Sequence, residues 1–319
     1  MSTDALMIIV IAGLLSTACA VLGSFLVLRR QALLPDAVSH AVLPGIVLIF
    51  VLTGQRGSVL TVLGATAFGL ICVAGFEWLR RTGLVAPDAA LALVFPALFS
   101  LGVLGIGTYA SGAHIDVDSA IYGDLTFAPL RTVELAGHAV PRSLLITGGA
   151  TIAVAILVVV LWRPLKASTF DPGFAQSAGL RGRAVSTVLL VAVTVVAVVA
   201  FDSVGAILVI TFFVVPAAAA HQVASRLSAM LLTAIGIGWA SSLLGYRLAE
   251  HLDSSIPGSI GLASVALFAL AWLAGRGRGR LGRFRHRESA RGTATGTAIP
   301  VQQARPSDTH TTAAPSRDR

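Results

Sequence analysis

Asp36 and His40 stand four residues apart inside an apolar stretch, Leu34-Pro-Asp-Ala-Val-Ser-His-Ala-Val-Leu-Pro-Gly45. On a helix that spacing puts both on one face, one turn apart. A carboxylate oxygen and an imidazole nitrogen so placed form a partial ligand set suited to Zn²⁺, Mn²⁺ or Fe²⁺. Two donors fall short of the closed four-ligand shell of structural zinc, which suits binding followed by release. Neutral imidazole is the ligating form, so protons compete with metal for the site. Ser39 is placed to orient the imidazole as a hydrogen-bond partner. The same residues serve equally as a proton relay, or as a polar pair that holds helices together. Their setting is what singles them out, because an ionisable side chain at mid-bilayer costs about 2.5–3.5 kcal/mol on insertion scales. Counting a helical rise from Arg30 at the inner interface places Asp36 ~9 Å and His40 ~15 Å into the membrane. Pro35 is suited to open a helix, and Pro44-Gly45 to interrupt one and free carbonyls toward a cavity.

That membrane setting follows from composition. Of 319 residues, 55% are apolar and 12% charged, and the mean hydropathy is +0.85. Soluble domains carry about twice that charged fraction. An ordinary soluble enzyme, a disordered chain and a collagen-like chain are excluded. An all-α, polytopic transmembrane bundle is expected. Runs long enough to span lie near 6–28, 36–53, 57–79, 87–107, 142–162, 184–201, 203–222, 229–249 and 257–274, about nine in all. The boundary near Asp202 is the softest, and no period of 20–50 residues marks a repeat protein.

Charge distribution orients these spans. Ten of the 23 basic residues but only three of the 15 acidic ones follow residue 274. Residues 1–274 therefore form the membrane domain, and 275–319 a basic, disordered, lipid-facing tail. The tail holds one aromatic, Phe284, and gives no case for nucleic-acid binding. With nine spans, Arg29-Arg30, Arg80-Arg81, Arg163, Lys166, Arg181, Arg183, Arg226 and the tail share one side, which the positive-inside rule makes cytoplasmic. Met1–Ala5 carries no positive charge and the first apolar run continues to Leu28, so a retained span with an outside N-terminus is expected rather than a cleaved leader. Cys19 and Cys72 lie in apolar runs and read as packing residues.

Other polar residues are weaker candidates. The long outer connection 108–142 offers His114, Asp116 and Asp118, three donors in five residues, either a relay passing metal inward or ordinary solvated loop residues. Asp124 and Glu134 are expected to face water or a docking protein. Asp202 either faces the pathway or caps the following helix. His221 reads as an interfacial residue, and His251 and Asp253 as capping or vestibule groups. On the inner side, Phe170-Asp-Pro-Gly-Phe-Ala-Gln-Ser-Ala-Gly-Leu180 has a good helix start at Asp171-Pro172. Ala175, Ala178 and Gly179 are small enough to seat it in a partner's groove. Its exposed phenylalanines, Phe170 and Phe174, want burial.

Taken together these stretches carry a resemblance. Asp36-Ala-Val-Ser-His40-Ala-Val-Leu-Pro44-Gly45 resembles the signature of the permease subunits of zinc/manganese/iron ABC importers, the ABC-3 type. Asp116-Val-Asp118 with Ile121–Leu125 is similar to that family's outer loop, and Phe170–Leu180 to its cytoplasmic coupling segment. Val204-Gly205 through Val215-Pro216-Ala-Ala-Ala resembles its proline-alanine run, and Leu252-Asp253 with Pro257-Gly258 its last outer turn. The likeness spans about residues 6–274. It departs at Pro35, where the family often has Gly, at His221 after the proline-alanine run, and in the tail. The resemblance implies a type II ABC-importer-like permease, working as a homodimer in the plasma (inner) membrane. Cytoplasmic ATP-binding subunits would drive it and an extracytoplasmic metal-binding protein would supply it. It implies that Asp36 and His40 are a transient metal site, that the metal is cargo rather than a permanently bound cofactor, and that Phe170, Asp171, Pro172, Phe174, Ala175 and Gly179 couple to the ATPase.

The sequence separately supports a division of labour. Its single lysine, Lys166, follows no glycine-rich loop, so no phosphate cradle for ATP is present and the chain is not expected to be an enzyme. The alternative is a proton-coupled secondary transporter using Asp36, His40 and Asp202, which predicts inverted repeats that the sequence does not display.

Overall fold

The computed structural model describes residues 3–54, 59–109, 125, 132–135, 138–180 and 182–294. Among them the helices are α1 (Thr3–Leu28), α2 (Leu34–Thr53), α3 (Val59–Thr82), α4 (Pro87–Tyr109), α5 (Arg142–Val160), α6 (Trp162–Phe170), α7 (Pro172–Ser177), α8 (Gly182–Val204), α9 (Ala206–Val223), α10 (Leu227–Leu252) and α11 (Ile256–Ala294). Nine of these are long and apolar enough to cross a bilayer, α11 through Ile256–Gly275, while α6 and α7 are too short. In hydrocarbon a backbone has no water to bond, so each spanning segment must close its hydrogen bonds within itself, which a helix does. Hydroxyls obey the same rule. Ser24 donates to the Ala20 carbonyl at 2.7 Å, Thr194 to Leu190 at 2.9 Å and Ser264 to Ile260 at 2.9 Å, each bonding one turn back.

Between α4 and α5 the described residues include a feature absent from the all-α expectation. Strands β1 (Thr132–Leu135) and β2 (His138–Pro141) pair antiparallel, Leu135 opposite His138. The sequence signal was a short alternation on either side of Ala136-Gly137, too brief to stand out against the long apolar runs.

The chain divides into two units, Met1–Gly275 and Arg276–Arg319. In the second, the described backbone is helical to Ala294. Arginine, leucine, alanine and glutamate are good helix formers, and the tail begins with them interleaved among its glycines.

In the first unit α1 is the central post, packed by α5, α8, α9 and α10. Thr151 of α5 donates to the Leu14 carbonyl of α1 at 2.8 Å, and the Trp239 indole of α10 donates to Thr17 at 3.0 Å. Beside this post α2 packs against α3 and α4, and against α8 and α9. The expected interruption at Pro44-Gly45 does not occur, because α2 is one helix from Leu34 to Thr53 with Pro44 inside it. The two residues serve packing instead. A Cβ on Gly45 would collide with the Gly64 carbonyl of α3, and one on Gly102 of α4 would meet the Pro44 nitrogen at 2.9 Å and its Cδ at 3.0 Å. Small residues let membrane helices approach this closely.

Gly102→Val should therefore cost about 1–3 kcal/mol by overpacking, seen as a lower melting temperature of the purified protein. Gly107→Ala, where an added Cβ meets nothing within 4 Å, should leave it unchanged. Equal melting temperatures for both variants would refute the tight α2–α4 crossing.

Candidate functional site

The site begins where α1 ends. Arg30 takes a left-handed backbone, φ 58°, and Gln31 N–H donates to the Leu26 carbonyl at 2.9 Å, so the chain turns instead of continuing as helix. α2 starts at Leu34 with Pro35 in its first turn, where a missing N–H costs nothing. Asp36 thus lies in the first helical turn, where the helix dipole favours a carboxylate. Counted from Leu34, Asp36 is ~3 Å and His40 ~9 Å along the helix. Both are nearer the helix start than a continuous helix from Arg30 predicts.

The two side chains meet as their spacing requires. His40 Nε2 lies 3.3 Å from Asp36 Oδ1, with 45% and 33% of their side-chain surfaces exposed, respectively. Two residues of α4 that the sequence did not suggest bracket the imidazole. Phe95 stacks on it with ring centroids 5.9 Å apart, and Phe99 meets it edge-on at 5.8 Å. Their i, i+4 spacing would have placed them on one face, but only the α2–α4 crossing shows which face. The Ser39 hydroxyl is buried and donates to the Pro35 carbonyl at 2.9 Å. It bonds its own helix rather than donating to the imidazole, as hydroxyls in apolar helices commonly do. In the single protomer both side chains remain partly exposed, as does Phe99 beside the imidazole.

Among the described residues no three His, Cys, Asp or Glu side chains converge. His114, Asp116, Asp118 and Asp124 lie outside the described residues. Glu134 is exposed on β1. Asp202 is exposed in the last turn of α8. The next helix has Gly205, φ 79°, at its N-cap, and that positive φ is what divides the two nearly continuous apolar runs. His221 is exposed in the last turn of α9, and His251 in that of α10. Asp253 takes the left-handed C-cap of α10, its N–H donating to the Ala249 carbonyl. Cys19 and Cys72 are free and buried.

The segment Phe170–Leu180 folds from its own caps. Asp171 accepts the Phe174 N–H at 2.8 Å and starts α7, with Pro172 next to it. Gly179 turns the chain at φ 70°, and Leu180 N–H closes onto the Ala175 carbonyl at 2.9 Å. Ala175 is buried beneath, while Phe170 and Phe174 remain 58% and 60% exposed. Just behind, Arg29 donates to Ser168 at 2.9 Å, Ser186 at 3.0 Å and Thr169 at 3.1 Å. Burial, helped by neighbouring Arg80 and opposed by Glu77, pulls its guanidinium down to about 10. Glu77 in turn pairs with Arg80 at 2.6 Å and Arg81 at 3.3 Å. Its i, i+3 and i, i+4 spacing was a readable signal that sequence reasoning passed over.

With that geometry in place, the comparisons decide the family. The ABC 3 transport family matches residues 3–275. The chain belongs to it. Over 266 residues it is 40% identical to the zinc transport system membrane protein TroD of Treponema pallidum (strain Nichols), covering 83% of this chain and 72% of that one. It is 34% identical to the manganese transport system membrane protein MntD of Bacillus subtilis (strain 168) over 261 residues, 82% and 88% of the two chains. Among solved structures, PsaBC from Streptococcus pneumoniae in complex with Fab superposes with a TM-score of 0.69 at 25% identity, over 85% of this chain and 92% of that one. This ABC 3 chain is a multi-pass membrane protein of the permease kind, and it is not itself catalytic. Family membership leaves the proton-coupled alternative without support.

Asp171→Ala removes the α7 cap, worth about 1 kcal/mol. Hydrogen exchange at the Phe174 amide should quicken roughly fivefold, and Asp171→Asn should restore most of the protection. Unchanged exchange in the alanine variant would show that α7 does not depend on this cap.

Proposed function

We propose that the chain is the membrane-spanning permease subunit of an ATP-driven importer for a divalent transition metal, Mn²⁺, Zn²⁺ or Fe²⁺. The metal is its cargo, and Asp36 and His40 are its transient ligands. The observation that carries this is a carboxylate and an imidazole 3.3 Å apart near one end of a spanning helix, in a chain 40% and 34% identical to a zinc and a manganese transport membrane protein. Two side chains leave room for water or further donors, so the ion is held loosely enough to move on. Phe95 and Phe99 limit how the imidazole can rotate, which keeps Nε2 beside the carboxylate.

The pair lies on an outer face of one protomer, and a conduit follows if a second copy covers that face. A homodimer would bring two Asp36–His40 pairs and their apolar surroundings together. His114, Asp116, Asp118 and Asp202 extend this reading as an outer relay fed by an extracytoplasmic metal-binding protein. At the inner end, exposed Phe170 and Phe174 over buried Ala175, framed by Asp171, Pro172 and Gly179, supply a knob for the groove of an ATP-binding subunit. Arginine placement supports a plasma-membrane orientation with the N-terminus outside and the tail 275–319 in the cytoplasm.

In vesicles containing the permease, its ATP-binding subunits and the binding protein, Asp36→Ala and His40→Ala should each abolish ATP-dependent metal uptake while leaving the complex assembled. Wild-type uptake by both variants, or wild-type permease taking up metal on a proton gradient without any ATPase, contradicts the proposal. Phe174→Asp should lose ATP-binding subunits in a pull-down, and normal recovery of those subunits argues against the coupling role.

A further inference from the structure

Where α1 and α3 end and α8 begins, a cavity of ≈ 460 Å³ is lined by Arg29, Arg30, Arg80, Arg81 and Arg183, with Glu77 the one acidic side chain. That volume falls within the usual range of small-molecule sites, about 300–1,000 Å³. Its charges do not balance. Glu77 already faces two cations, one oxygen 2.6 Å from Arg80 though without an aligned hydrogen bond and the other 3.3 Å from Arg81, and among the described residues Arg29, Arg30 and Arg183 have no carboxylate within ion-pair distance. Arg29 is held by the hydroxyls of Ser168, Thr169 and Ser186, which fix its fork without neutralising it.

We propose that this cavity is a binding site for a phosphate group, carried by the headgroup of an anionic phospholipid or by free phosphate. Guanidinium forks match phosphate oxygens two by two, and convergent arginines on a concave wall select a compact anion over a flat one. The cavity lies where spanning helices leave the bilayer, the level at which lipid phosphates sit and basic pockets between helices collect them. Burial and neighbouring Arg80 lower the Arg29 pKa, with Glu77 offsetting them only in part, which fits a cation in a region short of negative charge. This site is separate from the Asp36–His40 pair and does not need the transport reading to hold, since its occupancy can be measured on the purified permease alone.

The permease in neutral detergent is titrated with short-chain phosphatidylglycerol or phosphatidylcholine and read by native mass spectrometry. In a second arm, its melting temperature is compared in sodium phosphate and sodium chloride of equal ionic strength. Arg29→Gln, whose amide still bonds the hydroxyls, and Arg183→Gln, at the exposed rim, should each weaken binding about tenfold or more. Arg163→Gln, which does not line the cavity, should bind as wild type does. Preference for phosphatidylglycerol that both cavity variants lose supports the site with lipid as its source. Stabilisation by phosphate alone, lost in the same variants, supports it with free phosphate as the source. No preference in either arm, or variants that bind as wild type does, overturns it. Variants that keep phosphate and lipid binding but lose the ATP-binding subunits overturn it too, and assign the arginines to an acidic partner surface.

Discussion

A backbone in hydrocarbon must satisfy its own hydrogen bonds, and every polar side chain there must find a partner or an opening. That constraint shapes most of this chain, the buried Ser16 hydroxyl of α1 being an exception. It makes the apolar runs helices, sends serine and threonine hydroxyls back to their own turns, and leaves few ionisable groups inside the spans. Asp36 and His40 meet it by pairing with each other within the first two turns of α2, on a face left half open. A purely structural pair would be expected to be covered by the helices it joins. This one is only bracketed, by two rings of α4 on the imidazole side.

The bracket depends on how closely α2, α3 and α4 cross. Gly45 against Gly64, and Gly102 against Pro44, set those crossings at backbone distance, and so bring Phe95 and Phe99 to His40. Pro44-Gly45 therefore acts on the site from a distance, through packing rather than by opening the helix. The conduit, in the reading proposed for this ABC 3 chain, belongs to a pair of subunits. In that reading one protomer would supply the ligands and one wall of the path.

Where α1 and α3 end, the balance of charge is different. The fold draws several arginines into one cavity beside the α6–α7 segment, with a single carboxylate among them. Hydroxyls from α6 and α8 hold Arg29 in place. The α6–α7 segment thus offers exposed phenylalanines and also contributes to the wall of the arginine-rich cavity.

Much of this was legible in the chain itself. Run length and composition determined the nine spans, and the i, i+4 spacing of Asp36 and His40 determined that they would meet, because a helix's periodicity is a local property. Asp171-Pro172 likewise announced the start of α7 through a cap that needs no distant partner. Tertiary structure decided what depends on residues far apart in sequence. The turn at Arg30 moved the pair toward the helix start, and the crossings turned an expected break at Pro44 into a contact. Ser39 went to its own backbone, Phe95 and Phe99 were brought to the imidazole, and arginines from α3, α8 and the end of α1 were gathered around Glu77. No sequence window spans those distances, since they are fixed by which helices pack together and how closely their small residues let them approach.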